Sequence, residues 1–326
     1  MKRKILITGI NGSGSSYLAE YILENIKNVS IHGTTRGHGN VHYKNLQKVQ
    51  KDIDIIYVDL CDFSSVYRTF DNLRPDVVFH IASMANVKSS FESPLIVINN
   101  NVNITLNILE VVRMLKDKYG YNPIVQICST SEVYGQVDPK HIPITEDCPI
   151  NPINPYAVSK LTQDALGHVY YLNNGLNVIR TRMFSYLNAR RGDLFATAFA
   201  RQILDIKNGK RNVLEHGNLK SVRTLIDVRD AAESYWISIE KCKVGEVYNI
   251  GGTTPIKIED FLNLLIDKFD VEVKTVENKN FLRPSDISVQ IPDITKFTKC
   301  TGWKPKISFN DGLDFFVKEV YKFWDK

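Results

Sequence analysis

The N-terminus of this 326-residue chain reads as a buried strand, a glycine-rich turn and a helix, and this succession constrains the fold most. Ile5–Thr8 is a short, largely apolar run, typical of a strand covered on both faces of a parallel sheet. A helix is predicted from Tyr17. This order brings backbone N–H groups and a helix N-terminus to a pyrophosphate. The sequence therefore predicts a dinucleotide-binding turn formed by Gly9, Asn11, Gly12, Ser13 and Gly14.

Apolar runs and helical patterns continue to alternate through the first half of the chain, which indicates a parallel, doubly wound α/β sheet of the Rossmann kind. Further strands are predicted at Val29–Thr34, Ile53–Leu60, Val77–Ala82, Ile124–Cys128 and Asn177–Arg182. Helices are predicted at about 94–116 and 154–173, and later at 194–208, 228–240, 258–268 and 310–324. Two further strands are predicted at 244–250 and 271–276.

The alternation breaks after about Ser185, which predicts a second, smaller lobe of mixed α/β structure. We expect residues 1–185, with 226–252 returning to them, to form the Rossmann domain. Residues 186–225 and 253–326 would form a lobe that binds the substrate.

The end of the second strand favours NADP over NAD as the dinucleotide. NAD-binding proteins usually place a carboxylate there for the ribose 2′-hydroxyl, whereas this chain has Arg36, which suits a 2′-phosphate. An ordinary solvated loop arginine would look the same in the sequence. Other cofactor contacts are predicted at the ends of the third and fourth strands, at Asp59, Leu60, Ile81, Ala82 and Ser83.

Tyr156 and Lys160 are four residues apart on a predicted helix and so share one face. An ammonium beside a phenol favours the phenolate and lowers a pKa that is otherwise about 10. Taken alone, the pair is more typical of an exposed helix surface than of a site, because such pairs are common on solvated helices. Thr130 and Glu132 follow a predicted strand, at the end where doubly wound sheets bind ligands, so we expect them to face the nicotinamide.

The composition is that of an ordinary globular protein, with 43% hydrophobic and 24% charged residues and a net charge of +5. The charge is not gathered into a basic stripe, so we predict no nucleic-acid partner. The five cysteines are widely spaced and the seven histidines form no ligand pattern, so we predict no metal and a reducing compartment. The sequence suggests no signal peptide and no segment long enough to span a membrane, and the expected location is the cytoplasm.

These residues together resemble the extended short-chain dehydrogenase/reductase family over essentially the whole chain. Its two main motifs are represented by Thr8-Gly9-x-x-Gly12 and Tyr156-x-x-x-Lys160. The closer resemblance is to GDP-mannose 4,6-dehydratases, and it is carried by Gly9–Gly12, Ser16–Glu20, Asn86–Glu92, Ser129–Gly135, Arg190–Gly192 and Gly217–Leu219.

The resemblance implies a 4,6-dehydratase acting on a GDP-sugar with bound NADP. In that reading Tyr156 takes the proton of the C4 hydroxyl, Thr130 hydrogen-bonds the C4 oxygen, and Glu132 removes the C5 proton. Arg191 is assigned to the cofactor. Loop arginines that converge on a cleft suit a diphosphate, although each one alone could be surface charge. Substrate contacts are predicted for Ser131, Ser185, Arg190, Asn218, Arg223 and Arg283.

Several positions depart from the dehydratase pattern. Phe184-Ser185-Tyr186 replaces Phe-Asn-His, Ala189 replaces a proline, and Ser15 stands where a third glycine would fall. Leu282–Asp286 is more similar to the sister group, the reductases of GDP-4-keto-6-deoxymannose. The sugar could be mannose, a heptose or an N-acetylated hexosamine.

Two alternatives to the dehydratase stay open. One is an NADPH-dependent 4-keto reductase of a GDP-4-keto-6-deoxy sugar, and the other is a binding or regulatory protein on a Rossmann scaffold. Relatives associate as dimers or tetramers, and the Arg36–Asn45 loop resembles one that reaches a neighbouring subunit's cofactor, so a homodimer or homotetramer is expected.

Overall fold

A computed structural model describes residues 2–37, 43–282 and 285–325. The first half of the chain forms β1 (Arg3–Thr8), α1 (Ser13–Asn25), β2 (Val29–Thr35), β3 (Ile53–Tyr57), α2 (Phe63–Leu73), β4 (Val77–His80), α3 (Val87–Glu92), α4 (Pro94–Tyr119), β5 (Ile124–Thr130), α5 (Pro155–Asn174) and β6 (Asn177–Met183). The second half forms β7 (Tyr186–Leu187), α6 (Phe195–Lys207), β8 (Leu214–His216), β9 (Val222–Thr224), β10 (Ile226–Asp227), α7 (Val228–Lys241), β11 (Val247–Ile250), β12 (Pro255–Lys257), α8 (Ile258–Phe269), β13 (Thr275–Glu277), β14 (Val289–Gln290), α9 (Thr295–Thr301) and α10 (Phe309–Trp324).

One parallel sheet of seven strands, in the order β11-β6-β5-β4-β1-β2-β3, confirms the predicted doubly wound architecture. Successive residues of β1 point to opposite faces. Ile5 and Ile7 join the cluster packed under α1 and α7, whereas Leu6 joins the cluster packed under α2 and α4. Helices thus cover both faces, which explains why the strands read as continuous apolar runs.

Several predicted strands differ in their bounds from the observed ones. The strand expected at Ile53–Leu60 ends at Tyr57, so Asp59 and Leu60 lie in the turn that follows. The strand expected at 271–276 is displaced to Thr275–Glu277, where it pairs with the short strand β8. A partner of only three residues limits the length of this ladder.

Residues beyond the sheet form their own apolar cluster, which includes Phe199 on α6, Phe261 and Leu265 on α8, and Phe316 and Val320 on α10. In the same part of the chain, β9 pairs with β14, and both strands border the cavity described below. The domain boundaries stated above stay a prediction.

α4 corrects the expectation that no segment is long enough to span a membrane. Its 26 residues are long and apolar enough by length and composition alone. In the fold α4 packs against α5 and α2, with Ile104, Ile108 and Val112 buried. A core helix of this kind meets the same length and composition criteria.

A buried ion-pair triad anchors α5 to the sheet. The Asp164 carboxylate accepts hydrogen bonds from Arg180 Nη1 and Arg182 Nε, both at 2.9 Å, and all three side chains are less than a tenth exposed. Burial alone would raise the pKa of Asp164, but the Arg182 and Arg180 guanidinium groups hold it below its usual value.

Replacing Asp164 with Asn should lower the free energy of unfolding by about 3–5 kcal/mol, because two buried guanidinium groups lose their counter-charge. Urea unfolding of both proteins measures the difference. Asp117→Asn is the matched control, because its exposed pair with Arg113 should contribute less than about 1 kcal/mol. Equal losses for the two variants would contradict the role assigned to the triad.

Candidate active site

A cavity of about 1000 Å³ opens at the carboxyl ends of the parallel strands. Most of the residues that the sequence singled out line it together: Gly9, Asn11, Gly12, Ser13, Gly14, Arg36, Asp59, Leu60, Ile81, Ala82, Ser83, Thr130, Ser131, Glu132, Tyr156, Lys160, Ser185, Arg191 and Arg223. Their convergence follows from the sheet, because parallel strands end at one edge.

The glycine turn has the geometry of an anion cradle. Gly9 has a φ of +64°, and a side chain there would come within 3.1 Å of the Ala82 backbone. Gly12 caps α1 without a side-chain hydrogen bond, and the first turn of α1 carries no acidic residue. The helix N–H groups are therefore available to an anion. The buried Ser83 hydroxyl on the same cavity has no hydrogen-bond partner in the described part of the chain. These features fit the pyrophosphate of a dinucleotide.

The catalytic candidates from β5 are held by local hydrogen bonds. Thr130 is the last residue of β5, and its hydroxyl accepts the backbone N–H of Glu132 at 3.3 Å. Asn154 Nδ2 donates to Glu132 Oε2 at 2.9 Å. The Asn154 Oδ1 atom accepts the Ala157 N–H at 2.7 Å and so caps α5. One asparagine thereby fixes the position of Glu132 relative to the helix that carries Tyr156.

Tyr156 and Lys160 lie on the face of α5 that lines the cavity. The Lys160 ammonium is buried and donates to the Cys128 carbonyl, and burial lowers its pKa. The Tyr156 hydroxyl hydrogen-bonds that of Thr130.

The direction of the Tyr156 pKa corrects the sequence-based expectation. Burial raises it above its ordinary value, and the Arg191 guanidinium, rather than Lys160, is the largest opposing influence. Spacing along a helix indicates that two side chains are neighbours, but it does not report the desolvation that decides the pKa.

Arg191 lies in a network across the cavity. Its Nε and Nη2 atoms bond the two carboxylate oxygens of Asp193 at 2.8 and 3.0 Å, and Nη2 also donates to the Ala85 carbonyl at 2.7 Å. Asn86 Nδ2 donates to Asp193 at 2.9 Å. The network joins the loop after β4 to the loop before α6, and it holds a cation near Tyr156.

Two predicted substrate residues are placed elsewhere. The buried Arg190 guanidinium pairs with Glu20 at 2.6 Å and stacks on Tyr17, with its carbon 3.7 Å from the ring centroid. It is thus committed to packing α1 against the loop before α6, and it does not line the cavity. Asn218 is exposed and donates to Asp286 at 2.8 Å, also away from the cavity.

The prediction for Arg283 cannot be placed, because Arg283 lies outside the described residues, as do residues 38–42 of the Arg36–Asn45 loop.

The cavity residues that the sequence interpretation missed include Cys128, Tyr186, Tyr235 and Gln290. The Cys128 thiol and Tyr235 hydroxyl are 2.9 Å apart. The Tyr186 hydroxyl would lie 3.0 Å from a side chain at Gly14. Of these residues, only Tyr186 could have been suspected from the sequence, because it stands where the dehydratase pattern has a histidine. Tyr235 and Gln290 come from α7 and β14, which no motif connects to the cavity.

Comparison with known proteins places the chain among nucleotide-sugar enzymes. A model of the family GDP-mannose 4,6 dehydratase matches residues 6–315. GDP-mannose 4,6 dehydratase 1 of Arabidopsis thaliana is 30% identical over 333 residues, covering 97% of this chain and 90% of that protein. GDP-6-deoxy-D-mannose reductase of Pseudomonas aeruginosa is 31% identical over 241 residues, covering 73% of this chain and 78% of that protein.

Solved structures agree with the fold. RMD from Pseudomonas aeruginosa, complexed with NADPH, superposes with a TM-score of 0.83 at 25% identity, covering 98% of this chain and 99% of that one. UDP-glucuronic acid 4-epimerase from Bacillus cereus, bound to UDP-glucuronic acid and NAD, gives a TM-score of 0.85 at 25% identity with the same coverage. With a family match over nearly its whole length, this chain belongs to the GDP-mannose 4,6-dehydratase family of extended short-chain dehydrogenase/reductases.

Proposed function

We propose that the protein is an NADP-dependent nucleotide-sugar 4,6-dehydratase acting on a GDP-sugar, either GDP-mannose or a related GDP-heptose or GDP-N-acetylhexosamine. The observation that carries the proposal is the Glu132 carboxylate, oriented by Asn154, in one cavity with Thr130, Tyr156 and Lys160. Moving hydrogen to or from C4 needs an acid or base at C4 only. Removing water across C5 and C6 needs a second proton-transfer group, and Glu132 supplies one.

Each side chain has a defined task in this reaction. Tyr156 takes the proton of the C4 hydroxyl, while Thr130 hydrogen-bonds the C4 oxygen. The C4 ketone then acidifies the C5 proton, which Glu132 removes, and Glu132 gives a proton to the C6 hydroxyl as it leaves as water. A bound nicotinamide would supply reversible hydride transfer, from C4 to C6 overall, so no cofactor would be consumed. Glu132, having passed the C5 proton to the departing water, takes a proton from solvent and returns it to C5, and the proton held by Tyr156 is released to solvent. Lys160, held by its hydrogen bond to the Cys128 carbonyl, lines the same cavity one helical turn after Tyr156.

NADP is favoured over NAD because Arg36 lines the cavity just after β2, where no carboxylate stands between Thr34 and Gly37. The similar structure of RMD contains NADPH. Titrating the cofactor-free protein with NADP and with NAD compares the two affinities, and equal or tighter binding of NAD would remove this preference.

A 4-keto reductase using NADPH is the second candidate, and two observations favour it. A reductase of a GDP-6-deoxy sugar is 31% identical to this chain, and RMD shares its fold along almost the whole length. Such an enzyme would use Thr130, Tyr156 and Lys160 but would not depend on Glu132.

A substrate panel tests the proposal directly. The protein with NADP is incubated with GDP-, UDP- and dTDP-sugars, and mass spectrometry follows loss of one water. Dehydration of a GDP-sugar without net cofactor consumption supports the proposal. Turnover of 4-keto sugars alone, with stoichiometric use of NADPH, overturns it in favour of the reductase.

Replacing Arg191 with Gln should move the pH–rate profile to higher pH and reduce the rate at neutral pH by roughly tenfold. Tyr156 acts as a base, and loss of the neighbouring cation raises its pKa further, so the active form appears only at higher pH. The kcat profile at saturating cofactor measures the shift. Arg191→Lys, which keeps the charge, is the control, and an unchanged profile in Arg191→Gln would contradict the electrostatic role.

A further inference from the structure

Gln290 lines the cavity and carries an unpaired polar atom. It is the last residue of β14 and is only 3% exposed. Its Nε2 atom is buried and has no hydrogen-bond partner among the described residues. Burying an N–H donor without an acceptor is costly, so an unpaired amide on a cavity wall is a candidate for a contact with a ligand that supplies the acceptor.

The neighbour of Gln290 identifies the kind of acceptor. Gln290 pairs in register with Arg223 on β9, and both side chains line the cavity, so they extend from one face of this small sheet. The Arg223 guanidinium is fixed by the carbonyl oxygens of Val222 and Ile287, at 2.9 and 2.8 Å. Its Nη2 atom lies 4.0 Å from the partly exposed Asp286 carboxylate. A guanidinium offers only donors, and the unpaired atom of Gln290 is also a donor. Two adjacent donors, one of them charged, suit an anionic oxygen.

We propose that the Gln290 carboxamide donates a hydrogen bond to a phosphoryl oxygen of the substrate's diphosphate, beside Arg223. The inference rests on the proposed function, since it takes the ligand to be a nucleotide sugar. Gln290 is then a substrate-binding residue at the end of the cavity formed by β9 and β14, remote in sequence from the motif residues.

The segment that carries Gln290 is tied to the loop behind Glu132. Ser288 N donates to Gln136 Oε1 at 2.9 Å, and Ile144 N donates to the Ile291 carbonyl at 2.7 Å. A substitution could therefore act by loosening this segment rather than by removing the amide. Gln136→Leu provides the matched control, because it removes a bond that holds the segment and lies outside the cavity.

Calorimetric titration of the cofactor-loaded protein with GDP, UDP and dTDP tests the inference, with guanosine as the probe that lacks phosphate. Gln290→Leu should weaken GDP binding by about 10- to 100-fold, the range for a lost hydrogen bond to a charged group, and should leave guanosine binding unchanged. Gln290→Glu should weaken GDP binding at least as much, because a carboxylate repels phosphate. Gln136→Leu should bind GDP nearly as the wild type does.

Three outcomes would overturn the inference. GDP binding by Gln290→Leu at wild-type affinity would show that the amide does not contact the ligand. Tighter binding by Gln290→Glu would show that the ligand presents a donor. Equal weakening by Gln136→Leu would show that the segment's position, not the amide, matters. Failure of the proposed function would give a different result, seen in the wild type itself. The wild type would bind none of the three nucleoside diphosphates, or would bind UDP or dTDP in preference to GDP.

Discussion

Glu132→Gln is expected to slow the loss of water by roughly 10²–10⁴-fold, the usual contribution of a positioned acid–base group. Glutamine keeps the shape of the side chain and can still accept the hydrogen bond from Asn154, but it cannot take a proton from C5. Cofactor affinity should stay at the wild-type value. The measurement is mass spectrometry of the reaction in deuterium oxide, where dehydration by the wild type places solvent deuterium at C5 and the variant should place almost none.

Glu146→Gln is the matched control for this substitution. Glu146 is also partly buried and hydrogen-bonded, through Oε1 to the Asn249 N–H at 2.7 Å, but it does not line the cavity. The Glu146→Gln variant should therefore dehydrate the substrate at the wild-type rate. Dehydration by Glu132→Gln at the wild-type rate would disprove the task given to Glu132. Full activity of the same variant as a 4-keto reductase, with a wild type that never releases water, would establish the second candidate.

The sequence predicted the first half of the fold well because its signals are local. Strands buried on both faces leave continuous apolar runs, and helices between them leave caps such as Asn154 before Pro155. The second half contains strands of two or three residues, such as β7 and β14, which are too short to show a period. Their pairing is decided by tertiary packing, so β14 and its cavity residue Gln290 could not be located.

The candidate site shows the same division between local and distant information. Thr130, Glu132, Tyr156 and Lys160 lie together because a strand end and a helix start place them there. Arg190 and Arg191 are adjacent and look alike in the sequence, yet only Arg191 reaches the cavity. Arg190 is drawn away by Glu20, a partner from the first helix that no motif connects to it.

Tyr156→Phe is expected to lower the overall rate by roughly 10²–10⁴-fold, because no other group takes the C4 proton. This variant should fail one step earlier than Glu132→Gln. Without a ketone at C4 the C5 proton is not acidic, so deuterium at C5 and any 4-keto sugar should both be missing. Glu132→Gln should still form a 4-keto sugar that keeps its C6 hydroxyl, in amounts up to one per bound cofactor.

The chain provides a control for Tyr156→Phe on the same helix. Tyr170 also lies on α5, but its hydroxyl donates to Glu110 outside the cavity, so Tyr170→Phe should retain the wild-type rate. Quenched mass spectrometry of the sugar distinguishes the variants. If Tyr156→Phe accumulated the 4-keto sugar as Glu132→Gln does, the C4 proton would be leaving by another route. Tyr156 would then not be the base, and the rise in its pKa on burial would reflect a phenol that stays protonated throughout the reaction.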